Sequence, residues 1–265
     1  MTDATSETDS PAAEKASGTQ TLLRGLALLE CVAAGVSDVK GLSARMGTPR
    51  STTHRMLANL IKAGYLRQPS AGRYLLGPKL IELGIKAMEQ RPLASVARPF
   101  LESLASLTGD TVHLGVRERG EVFYLEKIPG TRGLEMRSRV GYRMPLASTG
   151  IGRALMLGAA PTEWQGLYDE AIAAKLRVGD TSLLPPWPEY QQTMARYCEQ
   201  GWVMDLEENE LGVRCVAAPL RDGRGTVVGA ISVASAVPYM PLERMHVLGP
   251  DVCRVAREIS AALID

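Results

Sequence analysis

Between Asp38 and Leu66 the residues specify a short helix, a tight turn and a second helix. The turn Met46-Gly47-Thr48-Pro49 supplies a helix stop at Gly47, an N-cap at Thr48 and a preset φ at Pro49, the expected first residue of the next helix. In that helix Thr53, Met56, Leu57 and Leu60 follow the i, i+3, i+4, i+7 spacing of a buried stripe. At about 100° per residue the stripe leaves Ser51, Arg55, Ala58 and Lys62 on the opposite face. A helix docked by its apolar side and presenting polar and cationic groups outward has the form that reads a DNA major groove. The plainer alternative is a helical hairpin with a solvated basic face.

Charge distribution favours the first reading. The net charge is only +1 over 265 residues, but it is unevenly divided. Residues 19–77 carry Arg24, Lys40, Arg45, Arg50, Arg55, Lys62, Arg67 and Arg73 against Glu30 and Asp38. Residues 1–18 are acidic, and residues 78–265 are slightly so. A compact basic segment in an otherwise near-neutral chain is the footprint of a phosphate-binding module.

Residues 1–18 lack aromatic residues and are expected to be a disordered tail. Leu22, Leu26, Leu29 and Val32 then mark a helix over 19–34, with Gly35 as its stop. After Gly64, Tyr65-Leu66-Arg67-Gln68 and Arg73-Tyr74-Leu75-Leu76 flank the turn Pro69-Ser70-Ala71-Gly72 and predict a hairpin. Three helices and a hairpin over 19–77 make a winged helix-turn-helix. Residues 78–92 read as a linker helix with Leu80, Leu83 and Ala87 on one side and a role in dimer contacts.

Residues 93–265 read as a helix followed by an antiparallel sheet flanked by helices. Strands are expected at 112–116, 122–128, 134–138, 202–205, 213–220 and 227–234. A helix enters from Ser148-Thr149-Gly150, Thr162 and Gln165 form a capping box for another, and a terminal helix covers 242–263. The fold class is therefore α+β: an N-terminal winged helix-turn-helix, a linker helix and a C-terminal GAF-like effector domain with a central antiparallel sheet.

Three segments carry a family resemblance from about residue 20 to the C-terminus: Leu42 to Leu57, Pro145 to Leu155, and Asp205 to Pro219 followed by Ala230-Ile231-Ser232-Val233. In this order and spacing the chain resembles the IclR family of bacterial transcriptional regulators. The resemblance implies a homodimer or homotetramer on palindromic operator DNA, responding to a small-molecule carboxylate effector. It also carries effector contacts onto Leu146, Gly150, Gly152, Asp205, Cys215 and Ser232. One departure is Ala234, where relatives commonly have a second serine.

The resulting expectation is a repressor of catabolic genes that senses a sugar acid. The alternative is an activator responding to an aromatic acid. Arg55 and Ser51 are candidates for base contacts and Arg50 and Lys62 for phosphates. Thr52 and His54 share their helix, and Arg67 and Arg73 lie on the wing. Thr149-Gly150-Ile151-Gly152 could offer backbone N–H groups to an anion, and any of Arg137, Arg139 and Arg143 could pair with a carboxylate. The acidic run from Asp205 to Glu210 reads as a solvated loop.

A rival reading makes Cys215 a nucleophile served by His113, but no feature of the sequence brings the two together; the expectation is not an enzyme. A second rival is a sensor that binds ligand and a partner protein without DNA. The four cysteines are scattered without a CxxC pair, and His54, His113 and His246 lie on separate elements, so no metal and no cofactor is expected. No run approaches the roughly 20 apolar residues of a membrane span, and Met1 to Glu7 lacks the features of a secretory signal, giving a cytoplasmic expectation with no membrane partner.

Overall fold

The computed structural model describes residues 11–70, 72–132, 136–179 and 184–263. The chain divides into two compact units, Met1–Gln90 and Arg91–Asp265.

In the first unit, α1 (Pro11–Ala33), α2 (Val39–Met46) and α3 (Arg50–Lys62) precede the antiparallel pair β1 (Leu66–Ser70) and β2 (Arg73–Leu76), and α4 (Pro78–Glu89) follows. Leu28, Cys31 and Val32 of α1 meet Leu42, Met56, Leu57, Leu66 and Tyr74 in one core. Among the described side chains of α1, that core touches only those of its C-terminal turns. Leu28, Cys31 and Val32 therefore form the buried ridge, while Leu22 and Leu26 of the expected stripe are exposed. The helix also starts at Pro11 rather than near residue 19, so residues 11–18 of the expected tail are helical; residues 1–10 lie outside the described residues.

The turn between α2 and α3 is built differently from the expected N-cap. Asp38 caps α2 by accepting from the Gly41 N–H at 2.9 Å, and Gly47 closes that helix at φ +59°. Thr48 is buried, and its hydroxyl bonds the Thr53 hydroxyl at 2.8 Å instead of capping α3 with its side chain. Pro49, not Thr48, is the residue immediately before α3. The two threonines satisfy each other inside the turn, which costs less than leaving either hydroxyl buried alone.

The second unit opens with α5 (Pro92–Thr108), followed by β3 (Thr111–Glu118), β4 (Glu121–Ile128), β5 (Arg143–Pro145), α6 (Gly150–Met156), α7 (Pro161–Val178) and α8 (Trp187–Gln200). Strands β6 (Val203–Leu206), β7 (Val213–Arg221) and β8 (Val227–Ala236) come next, and α9 (Leu242–Ala262) closes the chain. Among the described residues six strands form one antiparallel sheet in the order β5-β4-β3-β8-β7-β6. Helices α6, α7 and α8 pack on one face around Ile151, Ala154, Trp164, Tyr190 and Ala217. Helices α5 and α9 lie over the other. Both faces being covered explains why β8 is apolar almost throughout.

Two further expectations differ. Of the strand expected at 134–138, residues 134 and 135 lie outside the described residues and Met136–Ser138 is loop; the edge strand is β5 instead. The capping box falls two residues early: α7 begins at Pro161, and the Glu163 carboxylate accepts from the Ala160 N–H at 3.1 Å. The proline fixes the helix start more strongly than Thr162 does.

Candidate functional site

On α3 the packing leaves a clear division. Thr53, Met56 and Leu57 are buried, whereas Arg50, Ser51, His54, Arg55 and Lys62 are exposed and Thr52 is half-buried. Arg67 and Arg73 are exposed on the hairpin, opposite Leu75 and Ser70 respectively. All eight residues expected to face DNA thus lie on α3 or the wing of one unit, and none is fully buried.

The second unit contains a cavity of about 300 Å³ on the α6 side of its sheet. Its floor follows from strand register. Asp205 pairs with Cys215, Cys215 with Ala234, and, one step along, His113 with Ser232. Directly opposed residues on neighbouring strands share a face, so two adjacent rows of polar and small side chains point the same way. Gly150, at the start of α6, closes one wall. A Cβ there would stand 2.3 Å from the Cys215 sulfur, so only glycine allows this approach.

Of the residues carried over from the family, Gly150, Asp205, Cys215 and Ser232 line the cavity. Leu146 and Gly152 are buried beside it without lining it: Leu146 belongs to the adjoining core, and a Cβ on Gly152 would fall 2.2 Å from the Leu146 carbonyl oxygen. Ala234 lines the cavity opposite Cys215. Of the three arginines only Arg137 reaches it, and Arg137 pairs with Glu210 at 3.2 Å. Arg143 is held by Glu118 at 2.7 Å, and Arg139 is exposed.

The expected anion-binding helix start is already engaged. The Gly152 N–H donates to the Thr149 hydroxyl at 3.0 Å, and Gly150 lies against the Cys215 sulfur. Burial, and next Asp205, push the Cys215 thiol well above its ordinary range, so it is a neutral group.

Sequence reasoning missed several lining residues, Tyr124, Ser138 and Asn209 among them, and named His113 only as the base of the rival reading; His113 and Cys215 line the same cavity. His113 is buried; its Nε2 lies 2.7 Å from Ser138 Oγ and its Nδ1 3.4 Å from Ser232 Oγ. Burial, followed by the charge of Lys127, pushes its pKa down to about 3. It is a neutral imidazole that joins the cavity floor to the loop carrying Ser138. Lys127 ties the same loop by donating to the Met136 and Ser138 carbonyls at 2.9 and 2.7 Å.

The acidic run is also not a solvated loop. Asp205 and Glu208 are buried, and Asp205 accepts from the Glu208 N–H at 2.9 Å. Glu208 pairs with the buried Arg153 at 3.0 Å. Glu207, at φ +79°, turns its carboxylate to Arg214 at 3.1 Å. An internal cation draws the run inward where water was expected.

Among the described residues, no cluster of three or more His, Cys, Asp or Glu is placed to hold a metal, and no helix is long and apolar enough to cross a membrane.

Comparison with known proteins agrees with both units. Residues 21–70 match the IclR helix-turn-helix domain and residues 85–261 the C-terminal domain of the bacterial transcriptional regulator IclR. The DNA-binding transcriptional repressor YiaJ of Escherichia coli K12 is 33% identical over 231 residues, 83% of this chain and 79% of that protein. The HTH-type transcriptional repressor AllR of Salmonella typhi is 31% identical over 256 residues, 96% of this chain and 92% of its own. Among solved structures, IclR of Thermotoga maritima superposes with a TM-score of 0.73 at 23% identity, covering 92% of this chain and 99% of that one. An IclR homologue from Microbacterium hydrocarbonoxydans, solved with 4-hydroxybenzoate, gives 0.73 at 21% identity and covers 91% and 99%. A winged helix with a cationic outer face, a cavity-bearing second unit and these matches across both make the chain a member of the IclR family of bacterial transcriptional regulators.

Proposed function

We propose that this regulator is a repressor that leaves a palindromic operator when its cavity binds a small hydroxylated organic acid, with sugar acids the best-fitting class. The observation that carries the reading is the lining: Asp205, Ser232, Ser138 and Asn209 supply several hydrogen-bonding groups in a space of about 300 Å³. That size is at the lower end of small-molecule sites, roughly 300–1,000 Å³. Polar groups of which Asp205 and Ser232 are buried favour a ligand with several hydroxyls over one that leaves them unpaired. Arg137 at the same cavity is the candidate partner for the carboxylate, in exchange for Glu210. Catabolic genes fit a repressor relieved by such an acid.

On the DNA side, Arg55 and Ser51 read bases, with Thr52 and His54 beside them on the same helix. Arg50 and Lys62 hold phosphates, and Arg67 and Arg73 meet the flanking backbone or minor groove. Two copies of the module suit a palindrome, as a homodimer or within a homotetramer.

Catalysis by Cys215 is disfavoured. A nucleophilic cysteine needs a lowered pKa and an adjacent base; here burial raises the thiol, and the His113 nitrogens face Ser138 and Ser232.

A thermal-shift screen of sugar acids, keto acids and aromatic acids tests the effector class. Stabilisation by hydroxylated acids is expected; stabilisation by aromatic acids alone would overturn the sugar-acid reading and favour the class of the 4-hydroxybenzoate held by the Microbacterium homologue.

A further inference from the structure

Behind the cavity floor, three ionisable side chains share a small buried space. Arg153 on α6 is only 2% exposed. Its Nε donates to the Ala147 carbonyl and its Nη1 to the Met204 carbonyl and Glu208 Oε1, each at 3.0 Å. Its guanidinium lies 5.1 Å from the Tyr190 ring centre. Glu208 is bound on both oxygens, by Arg153 on one and by the Leu206 N–H on the other. Asp205 takes the Glu208 N–H on Oδ1 at 2.9 Å, lines the cavity, and is buried with Glu208 in the same turn. The triad thus contains one permanent cation and two buried carboxyl-bearing residues, joined by the Glu208 N–H to Asp205 hydrogen bond.

Two neighbouring carboxylates buried in one turn cannot both stay ionised when a single cation balances them. The proton belongs on Asp205, because Glu208 already has a cation and an amide directed at its charge. We propose that Arg153 and Glu208 are positioning residues that make Asp205 the proton-carrying member of a carboxyl pair in the cavity floor, and that this neutral floor admits an anionic effector. The second half rests on the organic-acid reading of the cavity.

The surroundings agree. Burial, and next the Glu208 carboxylate, hold Asp205 well above the usual carboxylate range. Against the opposing effect of burial, Arg153 holds Glu208 below it. The other titratable groups facing Asp205 are neutral at pH 7: the Cys215 thiol on β7, Tyr124 on β4, and His113 on β3. From α8, Tyr190 and Tyr197 adjoin Arg153 and Glu208 and are also neutral. Glu210 and Arg137 at the same cavity neutralise each other. Ionisation of Asp205 would therefore place an unbalanced negative charge in the floor.

The test has two arms on the full-length protein. A carbon-13 NMR titration of side-chain carboxyl groups needs no effector. It is expected to show a carboxyl still protonated at pH 7, absent in Asp205→Asn and titrating at lower pH in Glu208→Gln. Arg153→Lys, which keeps the cation, is expected to preserve the wild-type titration if Glu208→Gln fails to fold. In the second arm, D-gluconate is titrated calorimetrically across the pH range in which the NMR arm shows Asp205 ionising. Its affinity is expected to fall at least about tenfold as Asp205 ionises, a modest repulsion for like charges a few ångströms apart. No protonated carboxyl at pH 7 would overturn the pair. A protonated carboxyl with pH-independent D-gluconate binding would overturn its role in admitting anions. Absence of D-gluconate binding at every pH would count against the sugar-acid reading and so against the admission step, while the NMR arm still decides the pair.

Discussion

Gly150 and Cys215 are in such close approach that a single added methyl group at residue 150 would stand 2.3 Å from the sulfur. This contact joins the first turn of α6 to the start of β7, and both residues line the cavity. Gly150→Ala must move backbone or expel the thiol, and overpacking of this kind costs about 1–3 kcal/mol. Urea denaturation measures the loss. Cys215→Ala in the same chain should recover part of it, because the clash is with the sulfur; strictly additive effects of the two substitutions would count against this coupling.

Acid sensitivity follows from His113. Its pKa is pushed down to about 3 from an ordinary 6.5, first by burial and then by Lys127. The folded state therefore holds the ring neutral, and unfolding takes up a proton below pH 6.5. Stability from this group is fully present above pH 6.5 and is lost as pH falls towards 3, by about 2 kcal/mol at pH 5. Urea midpoints compared at pH 7.5 and pH 5 should show the drop, and His113→Gln should flatten it. An equal drop in the variant would assign the effect elsewhere.

The helix-turn-helix turn depends on the Thr48–Thr53 hydroxyl pair, 2.8 Å apart and buried. Thr53→Val keeps the shape and strands the Thr48 hydroxyl, for an expected loss of about 1–3 kcal/mol. Adding Thr48→Val should restore most of it, since removing both partners leaves nothing unpaired. Thermal unfolding of the single and double variants checks this.

Much of the first unit was legible because its signals are local. A glycine stop, a proline and a 3.6-residue stripe define α2 and α3 without reference to distant residues. The Thr48 cap was misjudged because its partner, Thr53, lies in the next helix. In the second unit α6 and the strands other than β5 were equally readable, but the cavity floor is a matter of register. His113 faces Ser232 only because β3 pairs with β8 in one alignment. The available signal was the alternation Val112, Leu114, Val116, which turns His113 to the other face of a strand whose both faces are covered. Arg153 likewise stood out as the one charge within Gly150–Met156. Its pairing with Glu208, 55 positions away, is what turned the acidic run inward, and no local pattern encodes that.

On the DNA side, the roles proposed for Arg55 and Lys62 separate specificity from affinity. Lys62→Ala should weaken binding to all sequences and lower the salt slope by about one, as a lost phosphate contact does. Arg55→Ala should lose discrimination against a mismatched operator, by about 1–3 kcal/mol. Gel-shift titrations at several salt concentrations distinguish the two, and an unchanged operator affinity in Arg55→Ala would remove that residue from base reading.

The most direct measurement of effector control is fluorescence anisotropy of the regulator's own promoter DNA, titrated with the full-length protein with and without the acid that raises its thermal stability most. Saturable, salt-dependent binding should weaken by at least about fivefold when the acid is present, the lower end of ordinary allosteric coupling, and the weakening should disappear in Ser232→Ala. Equal DNA affinity with and without an acid that demonstrably binds the protein would contradict it.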